Sequence, residues 1–187
     1  MRSPPDSLTF SLATVACAES VAELVNAAYR GTSAETGWTS EAHLLGGQRI
    51  DPNMVADLLQ EPDSGIILLH VAGCLKGCVH VKKLDPAHAY LGLFAIRPAS
   101  QGRGLGTRLM AYAERWARDR WRIAAIEITV IPLRRELVAW YGRLAYRATG
   151  ETRPFPYGDH RFGLAKRDDL VLDVMRKTLT ELNDGDV

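Results

Sequence analysis

Phe94-Ala95-Ile96-Arg97-Pro98 runs through Ala99-Ser100 into Gln101-Gly102-Arg103-Gly104-Leu105-Gly106-Thr107. This stretch joins a β-rich run to the strongest helical pattern of the chain. Glycines at 102, 104 and 106 let successive backbone N–H groups turn toward one point, and the dipole of the following helix adds partial positive charge there. The turn therefore reads as an anion site, with a diphosphate as its natural guest. A dinucleotide-binding fingerprint would have glycine where Thr107 stands, and a phosphate loop of the Walker type would end in Gly-Lys-Ser/Thr. Neither pattern is present. From Arg97 to Arg122 there are seven arginines (97, 103, 108, 115, 118, 120 and 122) against Glu114 and Asp119, a local excess that suits a polyanionic ligand. Arg103, inside the turn, is the arginine expected on phosphate; Arg115, Arg118 and Arg120 read as a solvated helix face.

Outward from the turn, Leu105 to Trp121 carries Leu105, Leu109, Tyr112 and Trp116 as an apolar stripe. Before it, Gly65–Val71 and Leu75–Leu84 flank Ala72-Gly73-Cys74 and predict an antiparallel hairpin, followed by a third strand over His88–Ile96. After it come a buried strand over Ile123–Ile131, stopped by Pro132, and a helix over Arg134–Leu144. Tyr146–Thr149 and Leu170–Leu179 read as closing strands, joined by the segment containing Pro154-Phe155-Pro156-Tyr157-Gly158. At the front, Leu8–Thr14 alternates like an edge strand and Ala18–Tyr29 has helical spacing. Residues 31 to 51 read as a long loop, and Asp51-Pro52 as the cap of a helix to about Gln60. The order is that of an α/β chain with a mixed sheet.

The whole chain has 187 residues, 47% hydrophobic and 24% charged, with 23 basic and 22 acidic side chains. It reads as a single domain over 1–187, able to remove roughly 70% of its unfolded surface from water without metal or disulfide support. Near-zero net charge argues against a large nucleic-acid partner. Three cysteines (17, 74 and 78) are an odd number without a zinc set around them, so no metal is expected and a reducing, cytoplasmic setting is. No apolar run reaches about 18 residues, and no membrane span is expected.

Gln101-x-x-Gly104-x-Gly106 after Phe94–Pro98, together with Ala139-Trp140-Tyr141-Gly142-Arg143-Leu144-Ala145-Tyr146, resembles the GNAT superfamily of acyl-CoA-dependent N-acetyltransferases over about residues 88 to 150. Gly-Phe of the family's Tyr-x-x-x-Gly-Phe segment reads Ala145-Tyr146 here, and Arg134 stands where many members have asparagine. The resemblance implies a central, mostly antiparallel sheet of about six or seven strands, splayed after the fourth and flanked by about four helices. Acetyl-CoA, the cosubstrate, would pair along the backbone of Phe94, Ala95 and Ile96, with its diphosphate on Gln101, Gly102, Arg103, Gly104, Leu105, Gly106 and Thr107. A freed N–H of Ile96 or Phe94 would polarise the thioester carbonyl.

The implied reaction is direct attack by a primary amine of a small molecule or peptide in a ternary complex. Tyr141 is the expected proton donor to the departing thiolate, whose thiol has a pKa of about 8.5. For the base, Glu127 and His80 are the leading candidates, with Glu41 or Asp51 through water behind them. The acceptor pocket is expected from Trp38, Arg49, Phe155 and Tyr157, the aromatics by cation–π attraction and Arg49 by holding a carboxylate. A non-catalytic acyl-CoA-binding or sensor domain is the alternative that keeps the glycine turn but need not keep Tyr141, and an interaction module with an arginine-rich helix is a third. Many members of the family dimerise, which makes a homodimer the expected assembly.

Overall fold

The structure is a computed structural model that describes residues 7–30, 43–159 and 163–179. Nine strands and four α-helices follow one another among these: β1 (Leu8–Leu12), α1 (Ala18–Arg30), β2 (Leu45–Gly46), α2 (Pro52–Gln60), β3 (Ser64–Val71), β4 (Cys74–Lys83), β5 (His88–Ile96), α3 (Leu105–Trp121), β6 (Ala125–Val130), α4 (Arg135–Arg143), β7 (Arg147–Pro154), β8 (Leu164–Ala165) and β9 (Val171–Thr178). Seven strands form one sheet in the order β1-β3-β4-β5-β6-β9-β7, antiparallel except at β5–β6. The expected mixed α/β sheet is present. β2 and β8 pair separately as a two-stranded ribbon that the sequence reading did not anticipate, and β7 runs on to Pro154, past the expected end at Thr149.

Local chemistry accounts for most element boundaries. Asp51 caps α2, its Oδ1 accepting the Met54 N–H at 2.8 Å, and Pro52 at the first helical position has no N–H to leave unsatisfied. That structural duty occupies one of the carboxylates considered as a base; Glu41, another, lies outside the described residues. α3 is flanked by Gly104 before its first residue and Arg122 after its last, both in the left-handed region.

Both faces of the sheet are covered. On one, α3 and α4 bury Leu109, Met110, Ala113, Ala117 and Leu137 against Ile67, Leu69, Val79, Val81, Ile126 and Ile128. On the other, α1 and α2 bury Val21, Leu24, Val25 and Val55 against Ile66, Leu68, Leu93 and Ala95. Each of the Val, Leu, Ile and Met side chains among these contributes roughly 1.5–3 kcal/mol by leaving water. A smaller cluster, Leu44, Leu45, Ile131, Phe155 and Leu170, underlies the ribbon. None of the described helices is long and apolar enough to cross a membrane.

Two irregularities decide where a ligand can enter the sheet. The first is a bulge in β5. Its register with β4 slips between Cys78 and His80, so that Val79 faces the pair Leu93 and Phe94, and Leu93 adopts φ 47°. One inserted residue reverses the parity of a strand. Before the bulge, Ala89 and Leu91 face α3; beyond it, Phe94 and Ile96 do, while Leu93 and Ala95 turn to α1. The second is a splay. β5 and β6 pair only from His88↔Ala125 to Tyr90↔Glu127, and β6 then continues to Val130 alongside β9.

Candidate active site

The glycine turn has the geometry its sequence suggests. Gly102 and Gly104 have φ of 75° and 74°, and a Cβ on either would meet nothing within 4 Å. Glycine is required there by backbone conformation, while the space beside it is open. No side chain caps α3, and its first helical bond is Arg108 N–H to the Gly104 carbonyl at 3.2 Å. The N–H groups of Leu105, Gly106 and Thr107 thus have no intrahelical acceptor, which is the arrangement that binds an anion. They border a groove of about 480 Å³ that also includes Ile96, Gln101, Trp140 and Arg143. Gly106 lies against a stack of Phe94 on Trp140, whose rings are 5.3 Å apart; a Cβ there would come within 3.1 Å of Phe94. Arg103 lies on the other side of the turn, lining a separate groove of about 300 Å³ with Lys76 and Arg108.

Beside the turn, β5 offers its backbone to the splay. Arg97 N–H donates to the Lys76 carbonyl at 2.8 Å, and Cys78 is the ladder partner of Ala95. Antiparallel alternation then turns the N–H and C=O of Ile96 and Phe94 away from β4, toward the side that β6 has left. The two carbonyls are taken by side chains: Gln101 Nε2 donates to Ile96 O at 3.1 Å and Tyr29 Oη to Phe94 O at 2.7 Å. Gln101 thus ties the turn to the strand that carries it. Ala95 keeps its place in the ladder and buries its methyl toward α1.

Between β5, β6 and α4 the splay encloses a cavity of about 180 Å³ lined by Tyr29, Arg49, Tyr90, Arg134, Tyr141 and Phe155, among others. Tyr141 is buried, its ring 5.0 Å from Trp140 and 5.7 Å from Tyr146. Tyr146, fully buried, donates to Glu114 Oε1 at 3.0 Å, and Lys177 Nζ donates to Glu114 Oε2 at 2.6 Å. Burial, then the Glu114 carboxylate, pushes the Tyr146 hydroxyl far above the ordinary phenol range, so it stays a donor. Ala145, in the glycine position of the family segment, has φ 71°.

A further cavity, of about 460 Å³, opens on the α1–α2 side and shares Arg49, Tyr90, Gly92 and Leu93 with the splay. His80 lies on its wall, opposite Gly92 in the ladder. Ser64 Oγ donates to the Leu58 carbonyl at 2.9 Å and lies 2.7 Å from His80 Nε2. A hydroxyl has one proton to give, so Nε2 carries the hydrogen and Nδ1 the lone pair. Burial, with a smaller opposing effect of Glu61, lowers the imidazole pKa to about 4 and keeps it neutral.

Glu127 is buried behind the same wall. Arg176 Nη2 donates to its Oε1 at 2.6 Å and Arg153 Nη2 to its Oε2 at 2.7 Å. Burial raises its pKa, but the two guanidiniums outweigh that and hold it below the usual carboxylate range. Of the residues expected around the acceptor, Arg49 and Phe155 line the splay. Tyr157 does not line it; it is exposed, and its oxygen accepts the Leu170 N–H at 2.5 Å. Trp38 lies outside the described residues. Tyr29, Tyr90, Gly92 and Arg153 are the residues that sequence reasoning missed. Only Gly92, a glycine in a strand interior, carried a usable signal.

No group of three or more His, Cys, Asp and Glu side chains among the described residues is placed to hold a metal ion. Cys78 is fully buried, and its thiol is pushed up to about 12 by that burial.

No curated protein matches the chain by sequence. In fold it is similar to the ribosomal-protein-S18-alanine N-acetyltransferase of Escherichia coli (TM-score 0.65, 14% identity, covering 97% of this chain and 99% of that one). It is also similar to the PaiA N-acetyltransferase of Thermoplasma acidophilum, solved with coenzyme A (TM-score 0.65, 12% identity, 92% and 99%). A third is a GNAT family acetyltransferase of Elizabethkingia anophelis with acetyl-CoA bound (TM-score 0.60, 14% identity, 93% and 99%). The model of the acetyltransferase (GNAT) family matches residues 21–146, which include the bulged strand, the glycine turn and Tyr141, and the chain belongs to that family.

Proposed function

We propose that the protein, acting as one domain over residues 1–187, transfers an acetyl group from acetyl-CoA to a primary amine by direct attack in a ternary complex. The observation that carries this reading is a convergence at one point of the sheet. Phe94 and the buried Tyr141 line the splay, Ile96 and the uncapped start of α3 line the groove beside it, and the Phe94–Trp140 stack stands between the two. A thioester threaded from the glycine turn along β5 brings its carbonyl to the bulge. There an outward N–H of β5 meets the oxygen as it gains charge, a stabilisation that grows toward the transition state.

In this reading Gly102 to Thr107 and Gln101 hold the diphosphate end, Phe94 to Ile96 hold the pantetheine arm by backbone pairing, and Arg103 takes phosphate from the far side of the turn. The amine nitrogen forms the new C–N bond, the C–S bond breaks, and the thiolate takes a proton from Tyr141. The amine's own proton leaves through the cavity on the α1–α2 side. His80, which lines that cavity with Nδ1 unprotonated, relays it to water; with a pKa of about 4 it acts as a relay and not as a strong base. Glu127 serves instead to hold Arg153 and Arg176, because a carboxylate already shared by two guanidiniums is a weak base.

Release of free thiol from acetyl-CoA with an amine panel tests the assignment, with Tyr141→Phe as the control. Thiol release that depends on an added amine and falls in the variant is the expected result. Thermal stabilisation by acetyl-CoA without release for any amine would reduce the protein to an acyl-CoA-binding module.

A further inference from the structure

We infer that the 3′-phosphate of coenzyme A binds in the groove on the far side of the glycine turn, held by Lys76, Arg103 and Arg108, so that the protein selects acetyl-CoA over its 3′-dephospho form. This rests on the acyl-transfer reading above and specifies which of the cosubstrate's phosphates Arg103 takes.

Two grooves meet at the turn. The one on the α4 side includes Gly102, Gly104 and Thr107, the other includes Lys76, Arg103 and Arg108, and both share Ser100 and Leu105. A diphosphate seated on the free N–H groups at the start of α3 therefore lies on the rim between them. The ribose of coenzyme A carries that diphosphate at one carbon and a phosphomonoester at another, so the two charged groups are one sugar ring apart. Arg108 stands one turn of α3 beyond Gly104, about 5.4 Å along the helix axis, which is a step of the same order. Arg103 and Arg108 are exposed and Lys76 is half-buried, so all three are open to a ligand that arrives from solvent.

The charges decide between the grooves. A phosphomonoester carries about −1.5 to −2 at pH 7 and needs concentrated positive charge around it. On the α4 side Arg143 is matched by Glu136. On the far side three cations share one groove with Leu8, Val71, Ser100 and Leu105, and no acid lines it. Among the described residues no carboxylate pairs with Lys76, Arg103 or Arg108. The arginines farther along α3 are engaged elsewhere: Arg115 lies 5.6 Å over the Tyr112 ring, Arg118 pairs with Asp119 at 3.1 Å, and Arg120 lies 5.6 Å over the Trp116 ring. Three cations gathered in one groove repel one another. A dianion there removes that repulsion and accepts charge-assisted hydrogen bonds from two guanidiniums and an ammonium.

The test measures the binding of coenzyme A and of 3′-dephospho-coenzyme A to the full chain by calorimetry, with thermal stabilisation as a second readout. The expected Kd is about tenfold lower for coenzyme A in dilute buffer. That gap should shrink as ionic strength rises from about 0.05 M to about 0.5 M, because exposed charges are screened. Lys76→Gln combined with Arg108→Gln should close most of it by weakening coenzyme A alone, and Arg103→Gln should act in the same direction. In turnover, acetyl-3′-dephospho-CoA should show a raised KM with kcat within about twofold, since the 3′-phosphate lies away from the reacting carbonyl. Equal affinity of the wild type for the two coenzymes overturns the inference and leaves acyl transfer standing, as does a gap that survives the double substitution. The wild-type comparison stands whatever the stability of the variants. Binding of neither coenzyme overturns both readings.

Discussion

The hydroxyls of Tyr90 and Thr129 meet at 2.8 Å just beyond the last rung of the β5–β6 ladder, so a side-chain bridge spans the two strands where backbone pairing stops. Tyr90 reaches Thr129 by lying across Gly92, whose missing Cβ would come within 2.5 Å of the Tyr90 ring. The width of the splay at its root is thus set by one glycine, one tyrosine and one threonine.

Gly92→Ala should force the Tyr90 ring off its seat and break the bridge. The expected cost is about 1–3 kcal/mol of stability, the range for overpacking a fitted site, with a fall in turnover larger than that of Tyr90→Phe. Denaturant unfolding and thiol-release kinetics on both variants check it. Wild-type stability in Gly92→Ala would show that Tyr90 is not fixed by this contact.

Tyr141→Phe should lower turnover by roughly 10²-fold or more while the KM for acetyl-CoA stays within about threefold, the pattern for losing a proton donor used only in the transition state. Tyr146→Phe separates this from packing. It removes the hydroxyl on Glu114 and should cost about 1–3 kcal/mol of stability, with less effect on turnover once folded protein is compared.

Gly104→Ala places a side chain at φ 74°, and Ala145→Gly removes one from φ 71°. The left-handed region costs a non-glycine residue roughly 1–2 kcal/mol. The first variant should therefore lose stability and raise the KM for acetyl-CoA. The second should gain about 1 kcal/mol and leave that KM alone. Thermal unfolding with and without acetyl-CoA reads both.

His80 gives the fold a defined acid sensitivity. Its folded pKa of about 4 lies below the ordinary 6.5, so the unfolded chain binds the proton more readily between those values. Its contribution is intact above pH 6.5 and is lost as the pH falls through 4, a loss on the order of 3 kcal/mol. Glu127, also lowered, adds a further loss below its ordinary value of 4.5 as its pairs with Arg176 and Arg153 are neutralised. Unfolding midpoints from pH 7 to pH 4 should fall, and His80→Gln, which can still donate to Ser64, should flatten the curve above pH 4.5.

Where local chemistry decides, the sequence was legible. Asp51-Pro52 announced the start of α2, and the spacing of Gly102, Gly104 and Gly106 ahead of an apolar stripe announced the turn and α3, whose limits at Leu105 and Trp121 agree with the expected ones. The ribbon of β2 and β8 escaped notice because two-residue strands have no periodicity to read. Which side of the turn Arg103 lies on was not legible from its position in the sequence; folded, it lines the groove with Lys76 and Arg108.

The candidate site divides in the same way. Phe94, Ile96 and Gly104 were picked out by one short stretch of pattern, 94–107, and Tyr141 by a second, 139–146, since a strand, a turn and a helix end are each specified by a few neighbouring residues. The roles of Glu127 and His80 depended on what surrounds them. From sequence they are a carboxylate and an imidazole on strands; folded, one is locked between Arg153 and Arg176 and the other is fixed by Ser64 with its Nδ1 lone pair unprotonated. Tyr29 on α1, Arg49 ahead of α2 and Arg153 on β7 have nothing in common in sequence and meet only because the sheet brings β5 between them.

Short-range spacing and backbone preference thus made the order of the main elements, the glycine turn and the family legible in the sequence. The tertiary structure alone decided the rest. A single bulged residue at Leu93 reverses the faces of β5 and turns Phe94 and Ile96 toward α3, and the end of pairing after Tyr90 opens the sheet beside them. Both are properties of how one strand registers against another, and strand register is a long-range relation that no local run of residues contains.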